Sequence, residues 1–227
     1  MSGLVARRRD EEQMDDPGLD PAVYDRVLKD LGRVNGWTFA ARPTLAFLAR
    51  GTRGVKRFSL LDVGFGDGGM LRAIARWAKA RGIEAQLTGV DLNSKSATVA
   101  RALTPPELAL DYRIGDYADL GRFDFIVSSL VAHHMTDAQL LAFLRHMEAQ
   151  AERGWFVNDL HRHGFAYHGY PWLARLLGVH RIVREDGRLS IARAFRPAEW
   201  RSLLDGAGVP GRPVRYFPFR LCVERLR

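Results

Sequence analysis

Apolar residues in the middle of the chain alternate between short continuous runs and stripes at helical spacing. The stripe over residues 70–78 predicts a helix with one buried face, and Thr136 with Gln139 forms the capping box of another. Regular alternation of strands and helices predicts an α/β fold with a parallel sheet covered by helices on both faces. The continuous runs predict five buried strands, at residues 58–63, 86–90, 112–114, 123–128 and 155–159.

Both ends of the chain depart from this alternation. Residues 1–20 mix arginines with acids and hold almost no large apolar side chains, which indicates a mobile tail. Asp20 begins a helix that we expect Gly32 to end, and a second short helix follows, so residues 21–56 are interpreted as an N-terminal helical lid. Two apolar runs flank Pro218 and predict an antiparallel hairpin, which completes a mostly parallel sheet of seven strands.

Composition narrows the class of protein. Hydrophobic residues make up 47% and charged residues 26% of the 227 positions, as in a folded globular protein. No uncharged stretch reaches about 18 residues, so we expect no membrane span, and no apolar run follows the first arginines as a secretory signal requires. The single cysteine, Cys222, excludes an intrachain disulfide, and we expect a cytoplasmic protein.

The net charge of +8 does not select a partner by itself. Twelve arginines and five acids fall in residues 175–227, and such a surface attracts nucleic acid, anionic lipid or an acidic small molecule. An arginine-rich genome composition accounts for the same excess without any electrostatic partner.

The most informative segment is the glycine-rich loop LDVGFGDGGM between a strand and a helix, where the main chain is open to a ligand. Gly64, Gly66 and Gly69 fit the dinucleotide fingerprint, whereas Asp62 with Gly64, Gly66 and Gly68 fits a different pattern. A carboxylate at position 62 repels a pyrophosphate and attracts a cation, which favours S-adenosylmethionine because that cofactor carries a sulfonium and an ammonium. Ordinary loop capping is the alternative role for the carboxylate.

Several segments resemble the class I S-adenosylmethionine-dependent methyltransferases. LLDVGFGDGG and LTGVDLN look like the first two motifs of that family, RIGDYADL like its adenine-binding segment, and FDFIVSSLVAHHM like its fourth-strand motif. The resemblance covers roughly residues 57–227 and implies a Rossmann-like core that binds S-adenosylmethionine. It is weaker over about 161–195, where we place a substrate-binding insertion.

The resemblance also implies roles for individual residues. Asp91 would hold the ribose, Asp116 the adenine amino group, and Tyr117 would flank the ring; Asp119 is close enough to replace Asp116. The full set of implied cofactor-binding residues is Asp62, Gly64, Gly66, Gly68, Asp91, Leu92, Asp116, Tyr117 and Ser129.

Within the family, SSLVAHHM followed by WFVNDLHRH is most similar to small-molecule methyltransferases, including enzymes of quinone biosynthesis and enzymes found beside bacterial polyketide synthases. The implied function, in secondary metabolism, is methyl transfer to an oxygen or carbon of a small aromatic, polyketide-like or quinone-like acceptor. The oligomeric state stays open, with a homodimer among the options.

Five of the seven histidines follow the ends of strands four and five, where ligands bind in such sheets. A phenol with a pKa near ~10 is mostly protonated at neutral pH, so a positioned histidine would help to remove its proton. We expect His134 to be this base, with His133 and His161 as further candidates beside Asp159; each histidine has the alternative role of capping a helix or lining the pocket.

The residues that follow strands four and five also include candidates for substrate contacts and for metal binding. Tyr167 and Tyr170 are expected to floor an apolar pocket, with packing of a helix against the sheet as their alternative role. Arg162 or a C-terminal arginine is expected to hold an acidic substrate. On a helix, the adjacent His133 and His134 would point about 100° apart. Methyl transfer from a sulfonium needs no electrophile, so no metal is expected.

Two other functions stay open. The charge favours an RNA methyltransferase, but SSLV after the fourth strand lacks the N/D-P-P-Y/F pattern typical of enzymes that methylate base amino groups. A protein that binds the cofactor and acts only through an interface is the second alternative. A nicotinamide reductase is disfavoured because no lysine follows a tyrosine at the Tyr-x-x-x-Lys spacing.

Overall fold

The computed structural model describes residues 4–227 and confirms the α/β fold. A seven-stranded sheet has the order β3-β2-β1-β4-β5-β7-β6, in which β1 to β5 are parallel and β7 is antiparallel to both of its neighbours. The strands are β1 (Arg57–Val63), β2 (Glu84–Asp91), β3 (Leu110–Ile114), β4 (Phe123–Ser129), β5 (Ala151–Leu160), β6 (Arg212–Tyr216) and β7 (Arg220–Leu226). The helices are α1 (Pro21–Trp37), α2 (Arg42–Gly51), α3 (Gly69–Lys79), α4 (Ser94–Leu103), α5 (Asp137–Gln150), α6 (Gly164–Leu176), α7 (Arg181–Arg193) and α8 (Pro197–Ala207).

Two apolar cores, one on each face, hold the helices against the sheet. Successive residues of a strand point to opposite faces, so Leu61 and Ile126 pack with α5 and α8 on one face while Leu60 and Phe125 pack with α2, α3 and α4 on the other. The central strands are therefore apolar on both sides, which is why they appear in the sequence as continuous hydrophobic runs.

Several local signals in the sequence fix the ends of helices. The capping box at Thr136 and Gln139 is present at the start of α5, and Asp20 caps α1 by accepting bonds from two backbone N–H groups. The prediction that Gly32 ends the first helix is wrong, since α1 continues to Trp37. Gly32 instead allows α1 to approach the glycine-rich loop, because a Cβ there would lie 2.8 Å from Oδ2 of Asp67.

The helices α1, α6 and α7 lie over the carboxyl edge of the parallel strands. Val27 and Val34 of α1 pack with Ala174 of α6 and with Ile182 and Val183 of α7 in a separate apolar cluster. Within residues 21–56, α1 thus covers the edge of the sheet, whereas α2 is part of the sheet core. No helix in residues 4–227 combines the length and the apolar character that crossing a membrane requires.

The mobile-tail prediction needs revision for residues 4–20, while residues 1–3 lie outside the described part of the chain. Arg7 donates hydrogen bonds to the backbone oxygens of His133 and Met135 and stacks on the ring of Phe195 at 4.0 Å. Glu12 is buried against α7. Polar contacts hold Arg7 and Glu12, and Met14 and Leu19 pack against the apolar side chains of α1. These apolar residues are too few and too widely spaced for hydrophobic patterning to show the segment.

Candidate functional site

A large cavity lies between the carboxyl edge of the sheet and the helices that cover it. Its volume is about 1240 Å³, above the ~300–1,000 Å³ typical of a pocket for one small ligand. Ligands bind at this edge in open α/β sheets because the strand ends and their loops converge there. The wall comes from the loops after β1, β2, β3 and β4, from α1, α6 and α7, and from residues 12–15.

The glycine-rich loop forms one end of the cavity. Gly64, Gly66 and Gly68 all have positive φ angles, at 75°, 54° and 75°, a region in which other residues are strained. Gly64 and Gly66 line the cavity together with Gly69. Gly68, which the sequence placed at the ligand, is the N-cap residue of α3 and lies beneath Tyr112, whose hydroxyl group would overlap with any Cβ at that position.

Replacing Gly64 with alanine should destabilise the fold by about 1–3 kcal/mol through backbone strain, and by more through overlap of the new Cβ with Val131. Gly66→Ala is the matched control, because its φ is also positive but no atom lies within 4 Å of the added Cβ. Urea unfolding of both variants measures the difference. Equal losses would show that the loop shifts freely away from Val131.

Asp62 is a buried acid without a partner. It is 1% exposed, lines the cavity, and neither of its carboxylate oxygens has a hydrogen-bond partner. Burial, together with the charges of Asp91 and Asp67, raises the pKa of Asp62 to about 7. A cationic ligand that donates hydrogen bonds would satisfy both oxygens and restore the ionised form.

Asp91 orders the loop while it faces the cavity. Its Oδ2 accepts a bond from the N–H of Gly66 at 3.0 Å, and its Oδ1 accepts one from the N–H of Asn93 at 2.9 Å. Burial raises the pKa of Asp91. Each oxygen keeps a further lone pair for a ligand hydroxyl. Leu92 follows at the rim of the cavity and is 78% exposed.

Asp116, the residue expected to bind the adenine amino group, lies between Gly115 and Tyr117, which both line the cavity. Asp116 is exposed and does not line the cavity, and its Oδ1 accepts a bond from the N–H of Ala118 at 2.9 Å, so it caps a short turn. Tyr117 does line the cavity, and its ring packs against Phe143 at 4.9 Å. Ser129 also lines the cavity, with a buried Oγ that lacks a partner.

His133 and Asp159 form a buried pair at the other end of the cavity. His133 lies in a 3-10 turn after β4, is 2% exposed, and has its Nδ1 2.7 Å from Oδ1 of Asp159. Because an ionised carboxylate only accepts hydrogen bonds, Nδ1 carries a proton, and in the neutral imidazole Nε2 has a lone pair. Nε2 has no hydrogen-bond partner. Burial alone would raise the pKa of Asp159, but its pairing with His133 outweighs this and lowers the pKa.

Glu12 joins this pair from the N-terminal segment. Its Oε1 accepts a bond from Ser190 at 2.8 Å and lies 3.7 Å from Nε2 of His133, and its Oε2 lies 3.8 Å from Nε2 of His134. Burial raises the pKa of Glu12 to about 7, against the opposing effect of His134. Asp15 holds Nδ1 of His134 at 3.0 Å. Sequence reasoning missed both acids, because no motif marks them.

The expectation that the two histidines point apart is wrong. They lie in a 3-10 turn rather than an α-helix, and their ring centroids are 4.3 Å apart. Within residues 4–227, Glu12, His133 and His134 are the group whose ligand atoms, all within 4.8 Å of one another, are able to hold a metal ion. The same atoms are able to accept a proton.

Three residues expected at the substrate lie outside the cavity wall. Arg162 is buried against α8, where it pairs with Glu199 at 2.5 Å. The ring of Tyr167 lies under Arg188, at 4.3 Å from its guanidinium. His161 is half-buried beside the ring of His163. Residues 161 and 162 lie past the end of β5, where His161 pairs with Phe195 and Arg162 reaches α8, whereas Tyr167 belongs to α6.

The half-burial of His161 lowers its pKa to about 4, with Arg215 next in effect. Of the residues expected to contact substrate, Tyr170 does line the cavity, and its hydroxyl group donates to the backbone oxygen of Val183 at 2.8 Å.

Comparison with known proteins gives one family match and many structural ones. Residues 60–154 match a family model described as a methyltransferase domain. No curated protein matches the chain in sequence. Among solved structures, magnesium protoporphyrin IX methyltransferase from Synechocystis PCC 6803 with bound SAH has 17% identity and a TM-score of 0.56, over 94% of this chain and 90% of that one.

Two further structures share the fold. Human N-acetylserotonin methyltransferase in complex with SAM has 14% identity and a TM-score of 0.62, over 92% of this chain and 56% of that one. A plantazolicin methyltransferase with a monoazolic desmethylPZN analog and SAH has 14% identity and a TM-score of 0.64, over 91% and 96% of the two chains. Residues 60–154 thus match a methyltransferase-domain model, and the chain shares its fold with methyltransferases that were crystallised with SAM or SAH.

Proposed function

We propose that this methyltransferase uses S-adenosylmethionine to methylate a hydroxyl oxygen of a small, largely apolar phenol or enol. The observation that carries the proposal is a single cavity with an unpaired acid at one end and a carboxylate–histidine pair at the other. The similar structures include enzymes named for small molecules, magnesium protoporphyrin IX and N-acetylserotonin among them. The volume of the cavity suits two ligands side by side.

The residues at the end near β1 and β2 fit the cofactor. The unpartnered oxygens of Asp62 would accept bonds from its ammonium group, and Asp91 would accept bonds from the ribose hydroxyls. Gly64 and Gly66 keep the main chain open beside it. S-adenosylmethionine supplies the methyl group from a sulfonium and leaves as a neutral thioether, so the protein needs to provide only alignment and a proton acceptor.

His133 is the proton acceptor in this proposal. As the acceptor oxygen bonds to the methyl carbon, its O–H proton passes to Nε2 of His133, and the resulting imidazolium is stabilised by Asp159. Asp159 also accepts a bond from the backbone N–H of His133 at 2.9 Å, which fixes the orientation of the ring. Glu12 faces Nε2 and offers the proton a second acceptor.

The acceptor end of the cavity is apolar around these polar groups. Phe165, Tyr170 and Leu173 of α6 and Ile191 of α7 line it, so a flat or alkyl-substituted molecule would be surrounded by side chains that prefer it to water. An apolar body would place its hydroxyl group at His133, the position where the wall is able to accept a proton.

The test is transfer of a labelled methyl group to a panel of phenols, hydroxyquinones and cyclic diketones, followed by mass spectrometry of the products. We expect O-methylation of at least one phenol or enol, and loss of that product in a His133→Asn variant. Transfer of the labelled methyl group to added ribosomal RNA instead would favour an RNA methyltransferase. Cofactor binding without any methylated product would favour a non-catalytic protein.

A metal test separates the two chemistries open to the cluster of Glu12, His133 and His134. If His133 is the base, EDTA leaves turnover unchanged, and added Zn²⁺ inhibits by binding to the lone pair of Nε2 of His133. Glu12→Gln should weaken the inhibition by Zn²⁺, because it removes the charged ligand. Loss of activity in EDTA with recovery on adding Zn²⁺ would instead make the cluster a metal centre.

A further inference from the structure

Arg220 is a buried cation in the cavity wall. It is the first residue of β7, is 3% exposed, and lines the cavity beside Leu160, its partner on β5. Its Nη1 has no hydrogen-bond partner, and burial lowers the pKa of the guanidinium. A guanidinium in this position needs an anion, because the wall itself supplies little to replace its lost hydration.

The other two buried arginines in residues 4–227 have partners. Arg162 pairs with Glu199 and also donates to the backbone oxygen of Ala194 at 2.9 Å. Arg193 donates to the backbone oxygen of Asp10 at 2.9 Å and lies 3.7 Å from Glu12. Arg220 is thus as buried as Arg162 and Arg193 but differs from them in having no group in the described part of the chain that pairs with its guanidinium.

Asp159, the acid whose charge acts on Arg220, does not serve as its hydrogen-bonding partner. Asp159 precedes Leu160 on β5, and its charge acts on Arg220. Its carboxylate is already bonded to Nδ1 of His133, to the backbone N–H of His133 and to that of Leu160. The neutralising group for Arg220 therefore has to come from a ligand.

If the proposed function holds, the strand order favours the methyl acceptor over the cofactor as the source of this anion. Asp62 on β1 and Arg220 on β7 are separated by β4 and β5, a span of three strand spacings or about 14 Å. In the cofactor, the carboxylate and the ammonium group share one carbon atom. With the ammonium at Asp62, its carboxylate is out of reach of Arg220, whereas Arg220 and His133 line the cavity in which the acceptor would bind.

We infer that Arg220 binds a carboxylate of the acceptor, so that the natural substrate is an aromatic or enolic hydroxy acid. The guanidinium would hold the carboxylate through paired N–H donors, the apolar wall would hold the body of the molecule, and His133 would meet the hydroxyl group. Arg220 would thereby select acidic molecules over their neutral analogues and set which hydroxyl group reaches the methyl group.

The test compares an alkyl-substituted hydroxybenzoate with its methyl ester, which has the same hydroxyl group but no charge. We expect the wild type to prefer the acid in kcat/KM by roughly tenfold or more. In Arg220→Met this ratio should fall to near one, and Arg220→Lys should restore part of it. Arg215→Met, which removes an exposed charge from the neighbouring strand β6, should keep the wild-type ratio.

The affinity for S-adenosylmethionine serves as the check on folding, because Asp62 is remote from Arg220. An unchanged acid-to-ester ratio in Arg220→Met would overturn the inference, as would a loss of cofactor affinity that leaves that ratio intact. If neither compound is methylated, calorimetry still decides: hydroxybenzoate binding that depends on Arg220 keeps the anion site and rejects only the proposed reaction, while binding that ignores Arg220 rejects the site.

Discussion

Replacing His133 with asparagine should lower kcat at neutral pH by about 10²–10⁴-fold, the usual contribution of a positioned general base. Asparagine keeps an N–H donor close to the position of Nδ1, so Asp159 retains its partner, and it removes Nε2, the atom proposed to take the proton. The affinity for S-adenosylmethionine should stay near the wild-type value, because Asp62 and the glycine-rich loop are untouched.

The pH dependence of the residual rate gives the more specific signature. Without the base, the acceptor must ionise by itself, so the rate of His133→Asn should rise about tenfold per pH unit below the acceptor pKa of ~10. Single-turnover rates between pH 7 and pH 9 measure this slope. A slope that stays equal to that of the wild type would show that His133 removes no proton.

His134→Asn is the matched comparison, since it changes the adjacent residue in the same way. His134 is partly exposed, and its Nε2 faces Glu12 at 3.8 Å, so its loss should cost less than the loss of His133. The sequence favoured His134 as the base, because neighbouring histidines are indistinguishable until the 3-10 turn and Asp159 orient them. A larger loss of kcat in His134→Asn would restore the earlier assignment.

The fold was predictable because its signals are local. Central strands buried on both faces appear as apolar runs, and the helices carry stripes and caps, so the sequence predicted a mostly parallel sheet of seven strands with a terminal hairpin. Asp62 was found in the same way, since it precedes the loop within one strand. The strands, the helices and the position of Asp62 all depend on residues that are close in the sequence, so local sequence patterns predict them.

The acceptor end of the cavity was less predictable, because tertiary contacts assemble it. Glu12 reaches the histidines from a segment with no apolar pattern, through a bond from Ser190 that lies 178 residues away. Arg162 lies just past the end of β5, and Arg220 is the first residue of the neighbouring strand β7. Only the direction of the chain past β5 turns the first toward Glu199, while the second stays in the cavity wall. Residue type alone therefore could not choose between Arg162 and a C-terminal arginine such as Arg220.

Replacing Asp62 with asparagine should weaken the binding of S-adenosylmethionine by about 10–150-fold, which corresponds to the ~1.5–3 kcal/mol of a hydrogen bond to a charged group. The substitution conserves shape and removes the negative charge that we propose pairs with the ammonium group. Isothermal titration calorimetry measures the two affinities. Asp67→Asn, which changes a nearby acid that already pairs with Arg72 at 3.0 Å, is the control and should retain most of the affinity.

The same substitution should abolish a pH dependence of binding. The pKa of Asp62 in the free protein is about 7, and pairing with a cation lowers it, so binding releases a proton at neutral pH. Wild-type affinity should therefore rise as the pH increases from 6 to 8, by up to about tenfold per unit below pH 7. The affinity of Asp62→Asn should show a flatter profile.

The stability of the ligand-free protein should change in the opposite sense. A carboxyl group whose pKa is raised from 3.8 to about 7 by folding destabilises the folded state as the pH rises through that interval, because the ionised form is buried without a partner. Asp62→Asn removes this cost, so at pH 8 we expect a higher Tm together with weaker cofactor binding. A lower Tm at pH 8, or an affinity equal to that of the wild type, would mean that Asp62 holds the loop rather than the ligand.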